Sequence, residues 1–145
     1  MANPKILIID DDPDIVEAMR MPLEANIYEV ISAKSGKEGL QKVKDEVPDL
    51  IILDVMMETE TEGFHVAYKL RREESESEYK EYKNIPILML TAISSKTGMK
   101  FSLEKDEEFL QVDDFVEKPI QPKELLEKVS KLLKRGQATF QKSQK

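Results

Sequence analysis

Apolar residues recur along this chain in two rhythms. Short runs at 5–9 (KILII), 50–53 (LIIL) and 86–90 (PILML), together with the looser alternation of 27–33 (IYEVISA) and the pair Phe115 and Val116, predict five strands. Leu50 to Leu53 is apolar on both faces, as a central strand covered by helices must be. Between the runs the spacing becomes helical. Asp12 can cap a helix with Pro13 in its first turn and Ile15, Val16, Met19 and Leu23 on one face, and Pro22 is expected to end or kink it near Met21. Ser35 is placed to cap a second helix with Leu40 and Val43 inward, closed by Pro48. Gly63 opens another that carries Phe64, Ala67, Tyr68 and Leu70, and a short helix is expected within 94–111. The last helix starts near Pro122, buries Leu125, Leu126, Val129, Leu132 and Leu133, and is expected to end before Gly136.

Five short strands alternating with helices make an α/β protein, a parallel sheet wrapped on both faces by right-handed crossovers. Residues 1–135 read as one domain and 136–145 as a polar tail. The nearly all-polar tract at 71–84 reads as a solvated helix end and loop.

Composition narrows the classes. With 40% apolar and 35% charged residues the chain is too apolar for wholesale disorder, and its apolar runs are too short for a membrane span. The first residues (MANPKILIID) lack a secretory pattern, which with the absence of cysteine suits a cytoplasmic protein without disulfides or thiolate metal sites. A net charge of -7 argues against direct nucleic-acid or anionic-membrane binding.

In such sheets ligands sit beyond the carboxyl ends of the strands. There this sequence sets Asp10, Asp11 and Asp12 after the first strand, Asp54 after the third, Thr91 after the fourth and Lys118 after the fifth. Each has an ordinary structural use: Asp12 and Thr91 as caps, Lys118 as a solvated lysine. Together they ask for more. Carboxylates crowded on one edge repel, and one stays protonated unless a cation neutralises them. Hard oxygen ligands with room for water suit Mg²⁺.

The acid pair at 10 and 11, the strand-end aspartate in DLIILDVMM, LTA at 90–92 and DDFVEKP at 113–119 resemble the receiver domain of two-component response regulators. The resemblance spans about Lys5 to Leu133. It implies a flavodoxin-like, doubly wound sheet of strand order 2-1-3-4-5, with Asp54 as the acceptor of a phosphoryl group from a histidine kinase or phosphotransfer protein. It further implies that Mg²⁺ is held by Asp10, Asp11, Asp54 and the backbone carbonyl of Met56. Lys118 would pair with a phosphoryl oxygen, and Thr91 would donate its hydroxyl only after phosphorylation. Phe115 would then turn inward and repack the face of the family's fourth helix, fifth strand and fifth helix, where a downstream protein reads the state or a homodimer forms. The Lys118-Pro119 bond would be cis. Such a protein catalyses only its own phosphorylation and dephosphorylation.

The sequence departs from the family pattern after Met57, where the acidic Glu58 to Glu62 intervenes before Gly63, and in longer spacings from Asp54 to Thr91 and from Thr91 to Lys118. Met56 and Ile93, beside the phosphorylation site, offer no hydrogen bond to an attacking water, so a long-lived phosphoaspartate is expected. His65, the single histidine, reads as structural. Two rivals remain. Asp10 and Asp12 fit the D-x-D of a haloacid-dehalogenase-like phosphatase, although Asp14 stands where that family needs threonine or valine and Asp54 is left without a role. A docking-only domain that is never phosphorylated would not require the full set of acids, threonine and lysine.

Overall fold

The computed structural model describes residues 3–54, 82, 84–92 and 113–144. Within them β1 (Lys5–Ile9), α1 (Pro13–Ala25), β2 (Glu29–Ala33), α2 (Gly36–Glu46), β3 (Leu50–Asp54), β4 (Ile87–Ala92), β5 (Asp114–Lys118) and α3 (Pro122–Gln144) follow in chain order. The strands form one parallel sheet of order β2-β1-β3-β4-β5, as the resemblance implies. The Lys118-Pro119 peptide is cis.

Alternation along the strands sorts side chains to two cores. Leu7, Ile9, Ile51, Leu53, Ile87 and Met89 face α2, which contributes Leu40 and Val43. Ile6, Ile8, Leu50, Ile52, Leu88, Leu90 and Val116 face the other way, against Val16, Met19 and Leu23 of α1 and Leu125, Val129 and Leu132 of α3. Every residue of β3 is buried, as a central strand covered on both faces requires. The cover on the α2 side is close: a Cβ added to Gly39 would lie 2.5 Å from Ile9 Cδ1, so only glycine lets the helix sit at this height.

The helix starts follow the capping residues. Asp12 accepts a bond from the Asp14 amide at 2.9 Å, and Ser35 Oγ accepts one from the Glu38 amide at 3.1 Å. Three boundaries differ from the sequence reading. Helix α1 does not stop near Met21 but runs through Pro22 to Ala25, because fully buried Leu23 anchors the last turn and the carbonyl of Pro22 is taken by Asn26 Nδ2 at 2.8 Å. Strand β2 begins at Glu29, since Ile27 sits in a left-handed turn (φ 68) between helix and strand. Helix α3 continues past Gly136 to Gln144, a lone glycine costing only about 1 kcal/mol in a helix. The helices expected after Gly63 and within 94–111, and most of the 71–84 tract, lie outside the described residues, as do Met56, His65, Ile93 and the Glu58 to Glu62 insertion.

Candidate functional site

Parallel pairing aligns the carboxyl ends of β1, β3, β4 and β5. Ile9 pairs with Leu53, Asp54 with Leu90, and Ala92 with Lys118, so Asp10, Asp54 and Lys118 meet at one edge although distant in sequence. Asp10 and Asp54 are almost fully buried, at 1% and 2% exposure, whereas Asp11 is exposed. One carboxylate oxygen from each of the three lies within 4.8 Å of the others. Asp12 is not in this group. Its side chain turns back to the Asp14 amide and starts α1, which removes one of the two acids that a D-x-D phosphatase would use.

The ammonium of Lys118 closes the site from β5, with Nζ 3.3 Å from Asp54 Oδ1 and 3.9 Å from Asp10 Oδ2. Asp10 Oδ1 accepts the Asp12 amide at 2.9 Å. Asp10 Oδ2 is buried without a hydrogen-bond donor among the described residues. Burial pushes the Asp10 carboxyl up to about 7 from an ordinary 3.8, and the charge of Asp54 adds to that, while the Asp12 amide and Lys118 oppose it. One ammonium does not neutralise three carboxylates. A buried carboxylate oxygen lacking a donor, beside two more hard oxygen ligands, fits a small divalent cation, and an exposed Asp11 leaves one side open to water.

Thr91 belongs to β4, one residue beyond the Leu90 that pairs with Asp54; its side chain lies outside the described residues. Phe115, on β5, is partly buried against the cluster of Met89 and Leu53. Two further residues around Phe115 escaped the sequence reading. Asp114 Oδ1 accepts the Phe115 amide at 2.8 Å, and Lys128 of α3 donates to the Phe115 carbonyl at 2.6 Å. The available signal was a lysine three residues after Leu125 and four before Leu132, on the apolar stripe of the helix.

No helix among the described residues is long and apolar enough to cross a membrane. A family model described as the response regulator receiver domain matches residues 6–130. The alkaline phosphatase synthesis transcriptional regulatory protein PhoP of Bacillus subtilis is 37% identical over 135 residues, which cover 93% of this chain and 50% of that protein. The transcriptional regulatory protein SrrA of Staphylococcus aureus is 34% identical over 139 residues, 96% of this chain and 51% of the relative. The chain thus spans about half the length of the curated relatives it matches. Among solved structures, the CheY-like receiver domain protein of Methanospirillum hungatei superposes with a TM-score of 0.75 at 28% identity, covering 95% of this chain and 99% of that one. These matches agree with the strand order and leave the phosphatase reading without support. The chain belongs to the response regulator receiver domain family, the signal-accepting module of two-component systems.

Proposed function

We propose that Asp54 is the phosphoacceptor of this receiver domain. The observation that carries the reading is the convergence of Asp10, Asp11 and Asp54 within 4.8 Å, with Lys118 Nζ 3.3 Å from Asp54. Asp54 attacks the phosphorus of a phosphohistidine on a histidine kinase or phosphotransfer protein. The new bond joins Asp54 Oδ to phosphorus, the P–N bond breaks, and its electron pair returns to the imidazole, which takes up a proton. Asp10, Asp11 and Asp54, with the backbone carbonyl of Met56, would hold Mg²⁺, which would supply positive charge against the phosphoryl oxygens. Lys118 holds one phosphoryl oxygen. Thr91 donates to another, and the inward turn of Phe115 carries the change to the face of the family's fourth helix, fifth strand and fifth helix. There a downstream protein or a second copy docks.

On this reading residues 1–135 are the working domain, no external substrate is turned over, and the protein is cytoplasmic, in keeping with its lack of cysteine. The test is incubation of the native chain and Asp54→Ala with Mg²⁺ and acetyl phosphate, followed by intact mass, and in parallel with beryllofluoride, which stands in for the phosphoryl group. A phosphoryl mass gain confined to the native chain is expected. A native chain that remains unlabelled and binds no beryllofluoride would refute the assignment.

A further inference from the structure

Strand β5 is an edge strand, and α3 and the ring of Phe115 lie on opposite faces of it: Val116 packs toward Leu125 and Val129, whereas Phe115 packs toward Met89 and Leu53. Lys128 joins the two faces around the open edge. Its Nζ donates to the Phe115 carbonyl at 2.6 Å, pairs with Asp114 Oδ1 at 3.3 Å, and stands 5.5 Å from the centroid of the Phe115 ring. The same Asp114 oxygen accepts the Phe115 amide at 2.8 Å, so both backbone polar groups of this residue are held by side chains rather than left open at the edge.

The ring contact is sensitive to position. Attraction between an ammonium and an aromatic face fades beyond about 6 Å, and at 5.5 Å this pair is already near that limit. A ring that turns inward leaves the reach of Lys128, which is tethered to the Phe115 carbonyl and to Asp114 and cannot follow it without giving up those bonds. Three residues further along the same strand, Lys118 contacts Asp54, so the phosphoacceptor and the clamp act on one strand.

We propose that Lys128 is a positioning residue of the switch, a latch that holds Phe115 in the half-buried position it occupies against Met89 and Leu53 and is released when Asp54 is phosphorylated and the ring turns further inward. The proposal rests on reading Phe115 as the residue that moves. A contact made in only one of two states biases the equilibrium toward that state, and its removal raises the affinity of any ligand that favours the other by up to the same factor.

The experiment measures Mg²⁺-dependent beryllofluoride binding to the full 145-residue chain and its variants. Lys128→Met keeps the aliphatic stem and loses the cation, and is expected to bind about two- to fivefold more tightly than the native chain. Lys128→Arg keeps the cation and is expected to stay at the native value. Asp114→Asn weakens the hold on Lys128 from the other side, is expected to shift affinity in the direction of Lys128→Met, and serves in its place if that variant does not fold. Fluorine NMR of 4-fluorophenylalanine-labelled chains, with Phe115 assigned by its loss in Phe115→Leu, gives a readout that general destabilisation does not mimic: in ligand-free Lys128→Met the resonance is expected to move toward its beryllofluoride-bound position. Native chain that binds beryllofluoride, with folded variants of unchanged or weaker affinity and an unmoved resonance, would overturn the latch while leaving the phosphoacceptor intact. Folded native chain that binds none would instead overturn the phosphoacceptor reading, and the latch with it.

Discussion

Replacing Asp10 by asparagine should stabilise the metal-free protein at high pH and leave it unchanged at low pH. Asp10 is 1% exposed, and burial holds its carboxyl at about 7 against an ordinary 3.8. A folded-state value above the unfolded one means that the folded chain binds the proton more tightly. The associated stability is therefore complete below about pH 4 and is lost as pH rises toward 7, where the ionised carboxylate stays buried beside Asp54. The gap from 3.8 to about 7, at about 1.4 kcal/mol per pH unit, bounds the loss at about 4 kcal/mol. Asparagine has the same shape, keeps an oxygen for the Asp12 amide, adds a donor toward Asp54 and never ionises. Urea unfolding followed by circular dichroism in EDTA, from about pH 3.5 to about pH 8, should show the two midpoints coinciding at the acid end and separating by about 1–2 M at the alkaline end, with Asp10→Asn the more stable. Taking the difference between the two proteins cancels the titrating groups that do not interact with Asp10. Saturating Mg²⁺ should reverse the order at pH 8, because binding stabilises only the chain that retains the ligand. A stability difference that does not change with pH in EDTA would refute the argument from burial.

Three other outcomes follow from separate parts of the molecule. Gly39→Ala should lower stability by about 1–2 kcal/mol in the same unfolding assay, since the new methyl would meet Ile9 Cδ1 at 2.5 Å and Ile9 is fully buried; equal or higher stability would show that α2 can lift off β1 without loss. Val47→Gly should raise stability by about 0.5–1 kcal/mol, because Val47 holds a left-handed backbone (φ 46, ψ 68) with a side chain already 56% exposed, and a lower urea midpoint would contradict the strain. Once phosphorylated with acetyl phosphate and freed of donor, Asp54 should lose its phosphoryl group slowly, since the side chains of Met56 and Ile93 carry no group that hydrogen-bonds an attacking water; a half-life of seconds to about a minute in the presence of Mg²⁺ would count against that reasoning.

The strands and the acid site were legible in the sequence for a common reason. In a parallel sheet the strand ends coincide, so residues just beyond apolar runs meet whatever lies between them, and Asp10, Asp54 and Lys118 could be grouped without knowing a single distance. The use of Asp12 was legible too, since Pro13 after it marks a helix start, and its side chain does take the Asp14 amide; that Asp10 is buried while Asp11 is exposed was not, because adjacent carboxylates look alike in sequence. Ile27 misled because a β-branched residue next to an alternating run reads as strand, whereas the chain needs a left-handed residue there to leave α1. Lys128 was missed although it lies as a charge on an apolar stripe, because its partner is set by which strand lies at the sheet edge, a property of strand order that no local pattern expresses.

The same rigidity that makes the site legible explains why a local charge change has to travel. Ile9 and Leu53, the residues immediately before the two buried aspartates, are fully buried and paired across β1 and β3, so the carboxylates cannot relax apart. Their repulsion is relieved by a proton on Asp10, by a cation among the three acids, or by Lys118. Lys118 favours Asp54 at 3.3 Å over Asp10 at 3.9 Å, and in the proposed reaction the Asp54 carboxylate becomes a larger dianionic group that draws the same ammonium. The strands beneath the acids are walled in on both faces, whereas β5 among the described residues pairs with β4 alone, so under the proposed function the partner that would move is the strand that carries Lys118. Phe115 lies on that strand, its backbone amide and carbonyl held, among the described residues, by Asp114 and Lys128. Side-chain contacts of this kind exchange partners without opening the sheet, and under the proposed function this makes β5 the element through which a charge placed on Asp54 would reach the surface.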